Sequence, residues 1–511
     1  MKKIIRGVLL TIFFMFLFAL LAFDIVGNDL LNWFNERFGV SLREILYTVR
    51  SPMKGADTNF LWEAVHYCLP AILLFLAIIV LILFWDRGVM RKVNTVVSIN
   101  MFNKVNLHIN VRWLNRVLAL VLAVCMLFPL SQRVDASLSV GDYISSLKDQ
   151  TTIYEDYYVD PDSVSIVTAN EEKKNLIYIY MESMETTYAS EAVGGHQPVN
   201  NYIPNLTEMA DENINFSNSD QLGGWHTVNG TGWTMGALFG TTSGIPFTFP
   251  VDGNSMDDRK NFASGVTTLG EILDAQGYNQ EFLCGSDATF AGRSEYFQQH
   301  GNYQIFDYYT AIEKGYIPED YYVWWGYEDK YLYQIARDEV TRLASEDEPF
   351  NLTFLTVDTH HVDGYVCDLC QDEYPEQLAN VVSCADRQVK EFVDWCMEQP
   401  FFENTQIIIT GDHPRMDNDL VADVDYYDRT IYNCFISKEE PADVNMKNRE
   451  FSALDMFPTI LSFLGYDIEG DRLGLGVNLF SDQKTLMEQM GYDSFNAELS
   501  KYSEYYINQF S

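Results

Sequence analysis

Apolar positions along the chain follow two different patterns. Before residue 131 they form three long unbroken runs: Ile4 to Phe23, interrupted by Arg6 near its start, then Leu69 to Trp85, then Leu114 to Leu130 with Arg116 near its entry. Each run has about the length that carries a helix across a hydrocarbon core at a rise of ~1.5 Å per residue. The pattern predicts membrane spans over about residues 4–24, 68–85 and 114–131. Lys2, Lys3 and Arg6 ahead of the first run resemble the basic start of a signal peptide. The run is too long for one, though, no small-residue cleavage site follows, and two more spans come after it, so it reads as a retained anchor. The connection between the second and third spans holds Arg87, Arg91, Lys92, Lys104 and Arg112 against the single acid Asp86. The positive-inside rule places that connection and the N-terminus in the cytoplasm, which puts everything after Leu130 outside. The segment Leu42–Val49, between the first two spans, can lie amphipathically on the membrane or pack on the outer domain.

From Asn175 onward short apolar runs alternate with stretches of helical period. Strands are predicted over Asn175–Met181, Glu281–Cys284, Asn351–Val357, Gln406–Thr410 and Thr430–Ile436. Helices are predicted over Val266–Ala275, Lys330–Ala344, Ala385–Met397 and Ala453–Leu464. Unbroken apolar strands are buried on both faces, as in parallel sheets, so the order implies an α/β domain with helices on both faces of a mostly parallel sheet. The expected organisation is a transmembrane region to residue 131, a polar linker with one short helix over 132–174, and a catalytic-sized domain over 175–511.

Charge sharpens this division. The chain carries 34 basic and 72 acidic residues; residues 1–132 hold 13 and 7 of them, which leaves 21 and 65 for the rest. So acidic an outer body repels phosphate backbones and excludes nucleic acid as its partner; a solvated acidic surface accounts for the excess.

Ligands collect at the carboxyl ends of strands in such sheets, and three predicted strands end in reactive residues. The first runs into Glu182, another into Asp358-Thr359-His360-His361, and a third into Gly411-Asp412-His413-Pro414. Any one of these alone reads as a helix cap or a structural histidine; three at equivalent positions point to a site. A fourth piece, Gly230-Thr231-Gly232-Trp233-Thr234, has the composition of a loop turning into a helix, with Thr234 in or near the first turn, where amides and dipole favour an anion.

Taken together and in this order, NLIYIYMES (175–183), GTGWT (230–234), TVDTHH (356–361) and TGDHP (410–414) resemble the lipoteichoic acid synthase and phosphoglycerol transferase branch of the alkaline phosphatase/sulfatase superfamily. LDMFPTI (454–460) followed by Gly465 is similar to that family's closing helix, and the GTGWT and DTHH versions look most like phosphoglycerol transferases acting on periplasmic glucans. The resemblance covers roughly residues 170–480. It implies a sulfatase-like fold and one divalent metal held by Glu182, Thr234, Asp412 and His413. An oxygen-rich set with one imidazole suits Mn2+ first and Mg2+ second. It also implies Thr234 as the metal-activated nucleophile, His360 as a substrate contact and Arg293 (in Phe290-Ala291-Gly292-Arg293) as a phosphate contact; the adjacent His361 is assigned a supporting role from its position alone. Two departures stand out: the synthases carry a tryptophan where this chain has Ala291, and they usually have five spans rather than three.

The implied activity moves glycerol phosphate from phosphatidylglycerol, through a threonine-linked intermediate, to an envelope glycan or teichoic-type acceptor. The enzyme would be multi-pass in the cell membrane with its catalytic domain extracytoplasmic. The alternatives are a phosphoethanolamine transferase or phosphodiesterase of the same superfamily, and a non-catalytic module binding an envelope polymer. A true sulfatase would need a C/S-x-P-x-R motif to make formylglycine, and the sequence has none. Among the outer cysteines, Cys367, Cys370 and Cys384 cluster in sequence. An exported location favours a disulfide staple among them, whereas a zinc site needs more ligands than this stretch shows.

Overall fold

The computed structural model describes residues 2–38, 59–92, 96–101, 105–138, 140–146, 148–168, 173–249, 262–439 and 444–510. They fall into two units, one over residues 1–42 and 58–143 and the other centred on 144–511.

The first unit is helical. The first and third predicted spans lie within longer helices, the second begins one residue before its helix, and the stretches Val8–Phe34, Leu69–Val89 and Val111–Leu138 are long and apolar enough to cross a membrane by length and composition. Phe14, Leu17 and Ala123 form the buried contact among these helices, while large apolar side chains such as Leu73, Leu81 and Phe128 face outward, as lipid-facing surfaces require. Asp86, the lone acid of the cationic connection, is paired twice, with Arg116 Nε and Arg112 Nη2, each at 2.8 Å. The same connection contains an antiparallel hairpin, Val96–Met101 with Val105–Asn110, which the apolar pattern does not predict. The segment Leu42–Val49 lies outside the described residues.

The second unit is built on a six-stranded sheet in the order Gln304–Phe306, Asn279–Cys284, Phe350–Leu355, Asn175–Met181, Thr405–Gly411, Asn433–Ile436. The first five strands are parallel, and the last is antiparallel to its neighbour. Asn175–Met181 is central because its apolar residues are needed on both faces. Leu176, Tyr178 and Tyr180 belong to one buried core and Ile177, Ile179 and Met181 to the other, as a two-residue side-chain period demands. The first core takes in Leu238 and Phe239 of helix Thr234–Ser243 and Leu454 and Phe457 of helix Ala453–Phe463. The second takes in Leu332 and Val340 of helix Asp329–Leu343 and Val389 and Phe392 of helix Gln377–Met397. The expected α/β architecture, with helices on both faces of a mostly parallel sheet, is what forms.

Two local expectations change. The helix predicted from Ala385 begins eight residues earlier, at Gln377. Asn380, Val381, Val382 and Ser383 are poor helix formers, but Val381 and Val382 are fully buried here, and burial overrides propensity. The segment expected as a linker also does not behave as one throughout. Ile153 and Tyr154 are buried in the first core, Ile166–Thr168 pairs antiparallel with Tyr466–Ile468, and Tyr154 lies 5.2 Å, ring to ring, from Tyr506 near the chain's end. Within an acidic stretch, these few apolar residues suffice to fasten it to the domain.

Ile153→Ala is therefore expected to lower the unfolding free energy by about 2–5 kcal/mol. An outer domain begun at residue 175 should melt below one begun at residue 148; equal melting temperatures would contradict the packing described.

Candidate active site

The strand ends converge as their positions require. Asn175–Met181 and Thr405–Gly411 are hydrogen-bonded neighbours in register, Met181 opposite Gly411, so Glu182 and Asp412-His413 emerge side by side. Gly411 is needed there, since a Cβ on it would lie 2.1 Å from the Met184 carbonyl oxygen. Glu182, Asp412 and His413 are all buried, and a ligand atom from each lies within 4.8 Å of the others. Thr234 is the first residue of helix Thr234–Ser243, whose N-terminus carries no capping side chain. The loop folds tightly onto the start of this helix: a Cβ at Gly236 would lie 2.5 Å from the Gly230 carbonyl oxygen. Thr234 Oγ1 sits 3.2 Å from His413 Nε2.

The polar contacts orient these groups toward one point. His413 Nδ1 donates to the Pro414 carbonyl at 2.7 Å, which leaves the lone pair of the neutral ring on Nε2. Nε2 in turn lies 3.4 Å from Asp412 Oδ2 and 3.6 Å from Glu182 Oε1. Asp412 Oδ1 accepts from the Ser183 and His413 amides at 2.8 and 2.9 Å, but its Oδ2 is buried without a hydrogen-bond partner. The Ser183 hydroxyl donates to Glu182 Oε1 at 2.7 Å. Burial, and then the facing Glu182 carboxylate, pushes Asp412 up to about 7. Burial also acts to raise Glu182, but His360, His413, the Ser183 hydroxyl and Arg415 outweigh it and hold that carboxyl below its usual range. Two buried carboxylates, an imidazole nitrogen and a hydroxyl converge on one point, with one Asp412 oxygen left without a hydrogen-bond partner. That donor set fits a divalent cation with a preference for oxygen and one nitrogen.

The DTHH stretch divides its labour. Asp358 turns away from the cluster: its Oδ1 accepts from the Asp329 amide at 3.2 Å, while Asp329 accepts from the Val357 and Asp358 amides. Thr359 Oγ1 donates to the Glu182 carbonyl at 2.5 Å. His360 lies near Glu182 and, when protonated, favours its carboxylate. Its Nδ1 donates to the His361 carbonyl at 2.6 Å, and burial pulls its pKa below the usual histidine range. His361 stacks on the His360 ring at 4.4 Å.

Arg293 is placed differently from the others. Its Nε and Nη2 donate to the Phe290 carbonyl, the Ser286 hydroxyl and the Asp287 carbonyl at 3.2, 3.0 and 2.9 Å. It reaches the His360 side through an aromatic wall: its guanidinium lies over Phe290, Phe290 lies 5.5 Å from Trp325, and Trp325 lies 4.8 Å from His360.

Sequence reasoning missed Trp325, Ser183 and Arg415. Trp325 sits in an irregular segment with no motif around it. Arg415 did leave a signal, as a charged residue two positions after His413 at a strand end. It is fully buried, pairs with Asp417 and donates from Nη1 to the Thr359 carbonyl at 2.7 Å. Its own amide donates to Glu185, which also pairs with Arg429.

The family model described as Sulfatase matches residues 174–466, more than half of the chain. The chain belongs to the sulfatase family. The matched stretch spans every element of the site, from Glu182 to His413. Among individual sulfatase-family relatives, the phosphoglycerol transferase I of Xanthomonas campestris pv. campestris (strain B100) is 31% identical over 319 residues, 61% of this chain and 43% of its own. That of Salmonella choleraesuis (strain SC-B67) is 29% identical over 347 residues, 66% of this chain and 43% of its own. The chain thus spans less than half the length of these curated relatives. Among solved structures, the lipoteichoic acid synthase LtaP of Listeria monocytogenes aligns with a TM-score of 0.48 at 18% identity, covering 62% of this chain and 79% of its own.

The facing carboxylates yield a stability test. In chelator, Glu182→Gln should melt below the unaltered protein, because it removes a carboxylate that its surroundings hold ionised, below its usual range. Added Mn2+ should raise the melting point of the unaltered protein, by about 2.7 kcal/mol of stabilisation at 100-fold excess over Kd, and leave the variant unmoved. A similar Mn2+ response in both would rule Glu182 out as a ligand.

Proposed function

We propose that this chain is a membrane-anchored phosphoglycerol transferase that carries glycerol phosphate on Thr234. The observation that carries the reading is the approach of Thr234 Oγ1 to His413 Nε2, at 3.2 Å, at the rim of the buried Glu182–Asp412–His413 cluster. The relatives' name, phosphoglycerol transferase I, supplies the group transferred. The three apolar helices agree with a donor that is itself a membrane lipid, and the extracytoplasmic placement of the domain is part of the proposal.

Glu182, Asp412, His413 and Thr234 would hold one divalent cation, Mn2+ ahead of Mg2+. Bound there, the cation supplies charge that favours the Thr234 alkoxide and offsets the phosphoryl oxygens. The protein's own groups do the rest. Thr234 Oγ1 attacks the phosphorus of phosphatidylglycerol, the bond from phosphorus to the diacylglycerol oxygen breaks, and a glycerophospho-threonine forms. His360, neutral and with Nδ1 committed to the His361 carbonyl, exchanges protons through Nε2. It passes the proton lost by Thr234 to the departing diacylglycerol oxygen, and in the second half takes the proton of the attacking acceptor hydroxyl. Arg293, tied through Nε and Nη2, offers Nη1 to a phosphate oxygen. Trp325, 4.8 Å from His360, gives that side of the site an aromatic ring. The acceptor is an envelope glycan or a polyglycerolphosphate chain.

Thr234→Ala should abolish diacylglycerol release from labelled phosphatidylglycerol. His360→Ala should lower it by about 10²–10⁴-fold, the usual worth of a positioned general acid–base. More than a few per cent of activity left in Thr234→Ala would rule out the nucleophile. Release from phosphatidylethanolamine but not from phosphatidylglycerol would transfer the reading to a phosphoethanolamine transferase.

A further inference from the structure

Away from the Thr234 cluster, three thiols converge. Cys367 Sγ lies 3.7 Å from Cys370 Sγ and 3.9 Å from Cys384 Sγ, and all three sulfurs lie within 4.8 Å of one another. The disulfide staple that the spacing suggests is not formed: none of the eight cysteines is bonded to another. We propose that Cys367, Cys370 and Cys384 form a thiolate site for a borderline-soft divalent ion, Zn2+ first, fastening the loop that carries His360 to helix Gln377–Met397.

Four observations carry this. First, sulfurs bound at ~2.3 Å around a tetrahedral ion stand roughly 3.8 Å apart, the spacing found here, whereas a disulfide holds its sulfurs at ~2.04 Å. Second, any one disulfide among three thiols strands the third, while an ion uses all three. Third, Cys367-Asp368-Leu369-Cys370 forms a tight turn, with the Cys370 amide bonded to the Cys367 carbonyl at 3.1 Å. Gln388 Nε2 donates to the Cys384 sulfur at 3.4 Å. A donor aimed at sulfur stabilises thiolate, and such outer contacts orient metal ligands. Fourth, Cys367 and Cys384 are buried and Cys370 is half-buried, so the three sulfurs face one another inside the domain. Among the described residues no fourth Cys, His, Asp or Glu completes the group, so its last position is left to water.

The fastening has a purpose in the fold. Residues 356–376 connect strand Phe350–Leu355 to helix Gln377–Met397, longer than the ~12–15 residues usual for a connection without regular structure. His360 lies near its start, Cys367 and Cys370 in its middle, and Cys384 in the helix it leads to. An ion at the three sulfurs closes this loop onto its own helix.

The test uses the full chain in detergent, purified without reductant, stripped with chelator and loaded with Co2+ as a spectroscopic stand-in for Zn2+. A thiolate-to-cobalt charge-transfer band is expected in the unaltered protein and in Glu182→Gln, and its absence is expected in Cys367→Ser. Cys370→Ser, at a half-buried position, is the second variant should Cys367→Ser fail to fold. Alkylation of the unaltered, metal-free protein under denaturing conditions should label all three cysteines without prior reduction. A disulfide between any two, or reduced thiols with no band, would overturn the proposal. Because the readout is spectroscopic and survives Glu182→Gln, it stands or falls apart from the transferase reading.

Discussion

Burying two carboxylates against each other is expensive, and the protein does so at the centre of its sheet. Glu182 and Asp412 project from neighbouring parallel strands, out of water, with His413 presenting a lone pair and one Asp412 oxygen without a partner. Such an arrangement is costly by itself and becomes favourable around a cation. Much of the surrounding structure follows from holding it. Gly411 lets the strand end pass Met184, Ser183 and Thr359 bond the Glu182 segment from both sides, and the fully buried Arg415 ties the loop after His413 to Thr359. Thr234 then arrives on the first turn of a helix onto which the Gly230 loop folds tightly.

The two faces of the sheet divide the work. One core carries the Thr234 helix and the closing helix Ala453–Phe463. The other carries helices Asp329–Leu343 and Gln377–Met397, between which the DTHH loop is set. Thr234 and the histidine-bearing loop thus rest on opposite faces of the sheet. Phe290 and Trp325 line the His360 side with aromatic rings.

Much of this was legible in the residues, for definite reasons. Strands such as Asn175–Met181 and Thr405–Gly411 are apolar without alternation, which only two-sided burial explains, and reactive residues at three strand ends can belong to one site only if the strands are neighbours. What was hidden depends on packing. The start of helix Gln377–Met397 contradicts local propensity, and three-residue strands such as Gln304–Phe306 carry too little pattern to be seen. Ile153 and Tyr154 look like stray apolar residues in an acidic segment until Tyr506 meets them. Trp325 has no motif. The sulfur spacing of Cys367, Cys370 and Cys384, which separates a metal site from a staple, exists only in three dimensions.

The central claim is that Thr234 carries the transferred group, and the most direct measurement is of that residue's mass. The full-length protein is incubated with phosphatidylglycerol and Mn2+ in the absence of acceptor, quenched in acid and digested. The peptide containing Thr234 should then gain one glycerophosphoryl group, localised to Thr234 by fragmentation. An unmodified Thr234 while diacylglycerol is released, or the adduct on another residue, would contradict the account.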